Sequence, residues 1–246
     1  MAIVPYLAMT AAEFDPIAPP GCPVGWMACH FSPYGTGLSN LPEALPKGSL
    51  LILNDRTPVF GHSPERIARQ LATVAEQFQC SGILLDFQRP EEAQIPAIAA
   101  AVTALPFPVA VTPAYAEGLT CGVFLPPAPM TVPMAEYIAP WQDRTVWLEV
   151  ATQHQCIRVS ETGSREIPWD GDTLPCPHTD DMLHCQYRME MAAGHIDFFL
   201  RREAQHLGPL MEEASSLGVR QFVGLYQQLG SSFAQQTAAD TARCQP

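Results

Sequence analysis

Eight short apolar runs recur along the chain, and each one ends in polar residues or proline. Runs of this kind, about four to eight residues long, are typical of strands that are buried on both faces of a sheet. They predict strands at Ile3–Ala8, Trp26–Phe31, Leu50–Asn54, Ile83–Asp86, Val109–Thr112, Gly122–Leu125, Val146–Val150 and Gln221–Tyr226.

Several segments between these runs carry apolar residues at helical spacing. They predict helices at Ser63–Cys80, Glu91–Leu105, Met134–Ala139 and Glu203–Leu217. Because strands that alternate with helices form a parallel sheet with the helices outside it, the pattern predicts an α/β fold, a (β/α)8 barrel of TIM type. Two connections are too short or too rich in proline for a full helix, so we expect a somewhat trimmed barrel.

The segment after Val150 has a different pattern. Residues 155–159, 187–191 and 196–200 alternate with a period of two, which favours antiparallel strands. Gly194 lies between the last two runs, where a tight hairpin turn favours glycine. We therefore expect a single barrel domain over residues 1–246, with a small antiparallel β insertion near strand seven, over about 151–202.

The composition excludes some partners. The chain has 13 Lys and Arg against 25 Asp and Glu, and its formal net charge is −12. Nucleic acid binding requires clustered cations that neutralise phosphates, so neither a nucleic acid nor an anionic membrane is expected as a partner. Met1–Phe14 lacks the basic start and apolar core of an export signal, and no stretch of about 18 to 20 apolar residues follows. We expect a cytoplasmic protein.

Eight cysteines raise the question of disulfides or a metal. No Cys-x-x-Cys pair occurs, and several of the cysteines lie in or beside apolar segments, which is typical of buried reduced thiols. Cys176, His178 and Asp180 cluster in a proline-rich loop without a recognised ligand spacing. The sequence predicts no metal and no cofactor, and it leaves metal binding by this loop open.

Polar residues follow the ends of the predicted strands, where (β/α)8 barrels carry their functional groups. The candidates are His30, Asp55, Asp86, Gln88, Arg89, Tyr115, Glu117, Glu149, Tyr226 and Gln227. Acids, amides and tyrosines predominate, and such side chains hydrogen-bond hydroxyl groups and contact the C–H faces of sugars. The pattern favours a small polar molecule or an oligosaccharide as the ligand.

One of these strands carries a motif. Residues 82–90 read Gly-Ile-Leu-Leu-Asp-Phe-Gln-Arg-Pro and resemble the strand-four signature of chitinase-like glycoside hydrolases of family 18, Asp-Gly-Ile-Asp-Leu-Asp-Trp-Glu-Tyr-Pro. Residues 217–226 resemble the closing strand of that family, and the insertion is similar to a small α+β insertion that some members carry. The resemblance implies a TIM barrel with its active centre at strand four.

Three positions depart from that signature. Ser81 and Leu84 stand where the family has its first two aspartates, and Gln88 stands where it has its proton-donating glutamate. In the family, the aspartate two residues before that glutamate orients the N-acetyl group of the substrate, so the resemblance implies this role for Asp86. An amide cannot transfer a proton to the leaving oxygen. The sequence therefore predicts a catalytically degenerate barrel that binds a carbohydrate or a similar polar ligand.

Two alternatives remain open. The first is an active glycosidase in which another carboxylate, at Glu149, Glu117 or Asp55, has taken over; Asp86 and Glu149 are then the catalytic candidates. Glu149 is favoured because an acid within a buried strand must point to a place that stabilises it. The second alternative is a non-catalytic interaction protein with a filled pocket, whose exposed loops carry the interaction. Separately, Asp86 next to Arg89 could form a structural ion pair that neutralises a partly buried acid.

Overall fold

The structure is a computed structural model that describes residues 3, 5–17, 22–57, 61–89, 93–171 and 173–230. In chain order its strands and α-helices are β1 (Tyr6–Met9), β2 (Val24–Phe31), β3 (Leu38–Ser39), β4 (Leu50–Asn54), α1 (Pro64–Gln77), β5 (Gly82–Asp86), α2 (Ile95–Thr103), β6 (Val109–Val111), β7 (Gly122–Leu125), α3 (Met134–Ile138), β8 (Val146–Glu149), β9 (Gln153–Ser160), β10 (Gly163–Ile167), β11 (His178–Asp180), β12 (Cys185–Ala192), β13 (His195–Arg202), α4 (Ala204–Ser216) and β14 (Gln221–Leu225). Short 3₁₀ helices span Pro113–Tyr115 and Ala139–Trp141.

Eight parallel strands close into a barrel. Their order around the barrel is β1, β14, β8, β7, β6, β5, β4, β2, and β2 pairs with β1 to complete the circle. The short β3 pairs antiparallel with the end of β2. The predicted trimmed (β/α)8 barrel is confirmed, and each predicted strand overlaps an observed one. Strand β1 begins at Tyr6, later than expected, and part of the helix predicted from Glu91 lies outside the described residues.

Helix α1 shows why the sequence forms the outer layer. The hydroxyl of Ser63 accepts a hydrogen bond from the Arg66 backbone N–H at 3.3 Å, and Pro64 occupies the first turn, so the helix start is capped. Its buried side chains, including Ile67 and Leu71, pack with the outward-facing residues of the barrel strands. The apolar face of the helix thereby supplies most of its stability.

The barrel interior is filled by side chains that point inward. They include Ala8, Leu50, Ile52, Leu84, Ala110, Phe124, Trp147 and Val223. Trp147 is almost fully buried, and a Cβ at Gly82 would lie only 2.9 Å from its ring. The packing of Trp147 therefore leaves no room for a side chain at position 82. Because side chains alternate along a strand, Asp86 follows Leu84 inward, and Glu149 follows Trp147 inward.

The insertion forms a second sheet with strand order β10, β9, β13, β12, β11, all antiparallel. The predicted hairpin is present, since Ala192 pairs with His195 and Gly194 has a φ of 82°. One face of the sheet packs through Cys185 and Leu200 against Met130, in the loop after β7. The insertion thus packs against the loop that follows β7, the sixth strand of the barrel.

Arg202 connects the insertion to the barrel. Its buried guanidinium donates to the carbonyl oxygens of Ala128 at 2.6 Å, Leu183 at 2.8 Å and His184 at 3.2 Å, and to Gln153 Oε1 at 2.8 Å. Burial lowers the pKa of Arg202 to about 10. The bond to Ala128 joins the insertion to the loop after β7, and the other three bonds hold separate segments of the insertion together.

Three further findings concern membrane-spanning helices, cysteines and metal ligands. Within the described residues, no helix has the length and apolar character that a membrane crossing requires. The seven described cysteines are free, and burial raises the pKa of the Cys29 thiol to about 12. In the same parts of the chain, no three His, Cys, Asp or Glu side chains are grouped so that they could hold a metal ion.

Candidate functional site

A small pocket lies at the carboxyl ends of the barrel strands. Asp86 and Glu149 line it together with Asn54 and Arg56, and apolar interior side chains such as Phe124 form its floor. Its volume of about 50 Å³ holds a few water molecules. Pockets that enclose a small ligand measure about 300 to 1,000 Å³. A larger ligand would therefore lie across the opening of this pocket and not within it.

Asp86 and Gln88 form a bonded pair at the end of β5. The side-chain amide of Gln88 donates a hydrogen bond to Asp86 Oδ1 at 2.6 Å. Burial raises the pKa of Asp86 above its usual value, and the charge of Asp55 adds to the rise. The hydrogen bond from the Gln88 amide and the charge of Arg56 act in the opposite direction. The amide of Gln88 therefore stabilises the ionised form of this carboxyl group.

The loop after β5 is fixed by groups on both of its sides. The buried carboxylate of Asp55 accepts hydrogen bonds from the backbone N–H groups of Gln88 at 2.9 Å and Arg89 at 2.8 Å. The hydroxyl of Thr112 donates to the Phe87 carbonyl, and that of Tyr115 donates to the Arg89 carbonyl. Asp55 and Tyr115, predicted as ligand contacts, thus contact loop backbone and hold Gln88 in position.

Glu149 approaches the same pocket from β8. It is half-buried, and this burial raises its pKa to about 7, with the charge of Asp86 as the second cause. Tyr137 of α3 lies close enough that the charge of Glu149 contributes, after burial, to raising the Tyr137 pKa to about 12. Two carboxyl groups from different strands therefore face one pocket, and Glu149 keeps its proton up to near-neutral pH.

The remaining candidates lie outside the lining of this pocket. His30 Nδ1 lies 2.8 Å from the Ala28 carbonyl, to which it donates when that nitrogen carries the proton. Glu117 is exposed in the turn after the first 3₁₀ helix. Tyr226 and Gln227 begin a helical turn after β14. Arg89 donates from Nη2 to the Arg56 carbonyl. The structure thus brings Asp86 and Glu149 to one pocket, with Gln88 bonded to Asp86, and none of these five residues lines that pocket.

Sequence reasoning missed one residue of this site. Tyr137 lies within a predicted helix, and its position beside Glu149 depends on how α3 packs, which no local pattern indicates. Arg56 also lines the pocket, and its place two residues after the end of β4 was a usable signal. The charge of Arg56 acts to lower the pKa of Asp86, and the charge of Glu149 acts to raise the pKa of Tyr137.

No protein-family profile and no curated protein sequence matches the chain. Its structure is similar to that of the spore cortex-lytic enzyme SleL of Bacillus cereus, with a TM-score of 0.51 and 11% identity over 97% of this chain and 74% of that one. SleL of Bacillus megaterium QM B1551 matches with a TM-score of 0.51 and 10% identity, over 97% and 72% of the chains. A chitinase from Chromobacterium violaceum gives a TM-score of 0.48 and 11% identity over 100% of both chains.

At these identities the likeness shows the fold alone. The likeness to the two SleL structures agrees with the barrel fold that the sequence predicted. Membership of family 18 and loss of its catalytic function stay predictions.

Proposed function

We propose that this protein binds a carbohydrate across the mouth of the barrel, with Asp86, Gln88 and Glu149 as hydrogen-bonding partners of its hydroxyl groups. The observation that carries the proposal is the convergence of Asp86 and Glu149 on one small pocket with an apolar floor, with the Gln88 amide bonded to Asp86. Sites for small ligands have this character, with a few placed polar groups on an apolar surface. The glycoside-hydrolase-like fold supports a sugar as the ligand.

Gln88 decides what the strand-four motif can do. Its amide is not acidic enough to transfer a proton to a leaving group. Its carbonyl oxygen and one N–H can hydrogen-bond hydroxyl groups of a ligand while the other N–H stays bonded to Asp86. We infer that this motif binds ligand and has lost the role of proton donor. The hydrogen bonds that the loop backbone N–H groups donate to Asp55 support this interpretation, because they hold residue 88 in one place.

Calorimetric titration with soluble oligosaccharides tests this function. A panel of N-acetylglucosamine, glucose and xylose oligomers is titrated into wild-type protein, and we expect one series to bind. Asp86→Ala should weaken its binding at least tenfold, because the variant removes a carboxylate and leaves the Gln88 amide without its partner. Glu76→Ala, at an exposed position on α1, is the matched control and should bind as wild type does.

Two results would contradict the proposal. One is the absence of binding to every oligosaccharide at millimolar concentration, which favours the interaction-protein alternative. The other is equal affinity of wild type and Asp86→Ala, which places the ligand elsewhere. Circular dichroism of each variant verifies that the barrel is folded.

A further inference from the structure

We propose that the protein also hydrolyses a glycosidic bond, with Glu149 as the proton donor and Asp86 as the carboxylate that activates water. This inference rests on the proposed carbohydrate site and extends it, since binding alone requires neither group to exchange a proton. Glu149, at the end of β8, then supplies the proton that Gln88, after β5, cannot supply.

The topology brings the two carboxyl groups to face each other. Strands β5 and β8 are separated by β6 and β7, and both side chains point inward from the strand ends. Three strand spacings around a closed barrel place the two backbones about 13 Å apart, and inward side chains reduce the gap between carboxyl groups to roughly 6 to 9 Å. Glycosidases that displace the leaving group directly with water separate their carboxyl groups by about 6.5 to 9.5 Å.

The surroundings act differently on the two carboxyl groups. Burial and the charge of Asp86 raise the pKa of Glu149 to about 7, so Glu149 carries a proton in mildly acidic solution. Burial also raises the pKa of Asp86, but the Gln88 amide and Arg56 favour its ionised form. Tyr137 also faces Glu149, and Asp55 also faces Asp86. An acid and a base with separated pKa values are what this chemistry requires.

The reaction balances with these two groups and one water molecule. Glu149 gives its proton to the glycosidic oxygen, and the bond from that oxygen to the anomeric carbon breaks with its electron pair on the leaving oxygen. Water forms the new bond to the anomeric carbon and gives a proton to Asp86. Exchange with solvent then returns a proton to Glu149 and removes one from Asp86.

Substrates that differ only in leaving group test the role of Glu149. Phenyl glycosides need a proton on the departing phenol oxygen. The 2,4-dinitrophenolate group is a much weaker base and departs readily without one. We expect Glu149→Gln to lower kcat/KM on the phenyl substrate by about 10² to 10⁴-fold, the usual contribution of a general acid. On the dinitrophenyl substrate the same variant should lose less than tenfold in this parameter. Glu76→Gln serves as the control and should match wild type on both.

The pH profile gives a second measurement. Wild-type kcat/KM on the phenyl substrate should fall as the pH rises above about 7, because Glu149 then loses its proton. The dinitrophenyl substrate should not show that fall.

Three outcomes would overturn the inference in different ways. Oligosaccharide binding without turnover of either aryl glycoside refutes hydrolysis and leaves the binding function standing. Equal loss on both leaving groups in Glu149→Gln shows that Glu149 supports the structure and is not the acid. Absence of both binding and turnover refutes the proposed carbohydrate function itself.

Discussion

The barrel mouth and the insertion sheet arrange their charged side chains in opposite ways. On the insertion sheet, Arg158 donates to both oxygens of Asp197, at 2.8 and 2.7 Å, and Arg188 meets Glu190 at 3.2 Å. At the mouth, two carboxyl groups share a pocket and the charge of Asp86 adds to the effect of burial on Glu149.

This difference distinguishes a surface with paired charges from the proposed ligand site. Opposite charges in contact stabilise the folded state, whereas like charges that share a partly buried pocket destabilise it. Groups that cost stability and have shifted pKa values are concentrated at functional sites. The insertion sheet therefore has charges suited to holding a shape, and the mouth has charges suited to a ligand.

The largest effect is expected at Arg202, where the insertion joins the barrel. Arg202→Met should lower the free energy of unfolding by about 2 to 4 kcal/mol, because buried carbonyl oxygens lose their hydrogen-bond donors. Urea unfolding measures the difference. Arg220→Met, at an exposed position, is the control and should change stability by about 0.5 kcal/mol or less. Similar effects of the two variants would show that the buried arginine does not fix the insertion.

A smaller loss is expected at Asp55, the acid at the mouth that backbone N–H groups stabilise. Asp55→Asn keeps the shape but replaces one acceptor oxygen by a donor, and it should lower the free energy of unfolding by about 1.5 to 3 kcal/mol. The backbone amide resonances of Gln88 and Arg89 should move as their bonds change. Asp143→Asn is the exposed control. Unchanged resonances would mean that Asp55 does not position the loop.

Ionisation of Glu149 should destabilise the folded protein as the pH rises. Its folded-state pKa of about 7 lies above its ordinary value of 4.5, so wild-type stability is lost as the pH rises between those values. Glu149→Gln lacks this loss and should be relatively more stable at pH 8 than at pH 4, by about 1 to 2 kcal/mol after allowance for partial exposure. Urea unfolding at pH 4, 6 and 8 measures it. A difference that stays constant with pH would contradict the shift.

The smallest effect is expected on the insertion sheet. The hydrogen bond from Arg158 lowers the pKa of Asp197, so the stability it provides is present above the ordinary value of 3.8 and is lost as the pH falls through the lowered value. Asp197→Asn should reduce the melting temperature slightly at pH 7, and 1 M salt should reduce the difference. Asp181→Asn, at an exposed position, controls for the loss of charge alone. A large, salt-independent loss would place this pair among the buried interactions.

The fold could be predicted to a large extent because each barrel strand is buried on both faces. An apolar run such as Leu50–Asn54 needs no distant information to be identified. The position of Asp86 at the end of such a run also predicted that it lies at the carboxyl end of a barrel strand. Boundaries were less accurate at β1, since the residues before Tyr6 are as apolar as the strand itself.

The candidate site could be predicted only as a set of strand ends. Tyr115 and Asp55 have the same chemical character as ligand-binding residues, yet both contact the backbone of the loop after β5. Tyr137 reaches Glu149 from a helix that the sequence places but does not orient.

The sequence by itself determined the barrel, the antiparallel insertion and the positions of the acids, because hydrophobic periodicity is a local property of the chain. Only the tertiary structure decided that Asp86 and Glu149 share a pocket, and that Glu149 is the acid whose pKa rises to about 7. The physical reason is that a pKa depends on burial and on neighbouring charges, and here those neighbours come from strands about sixty residues apart in sequence.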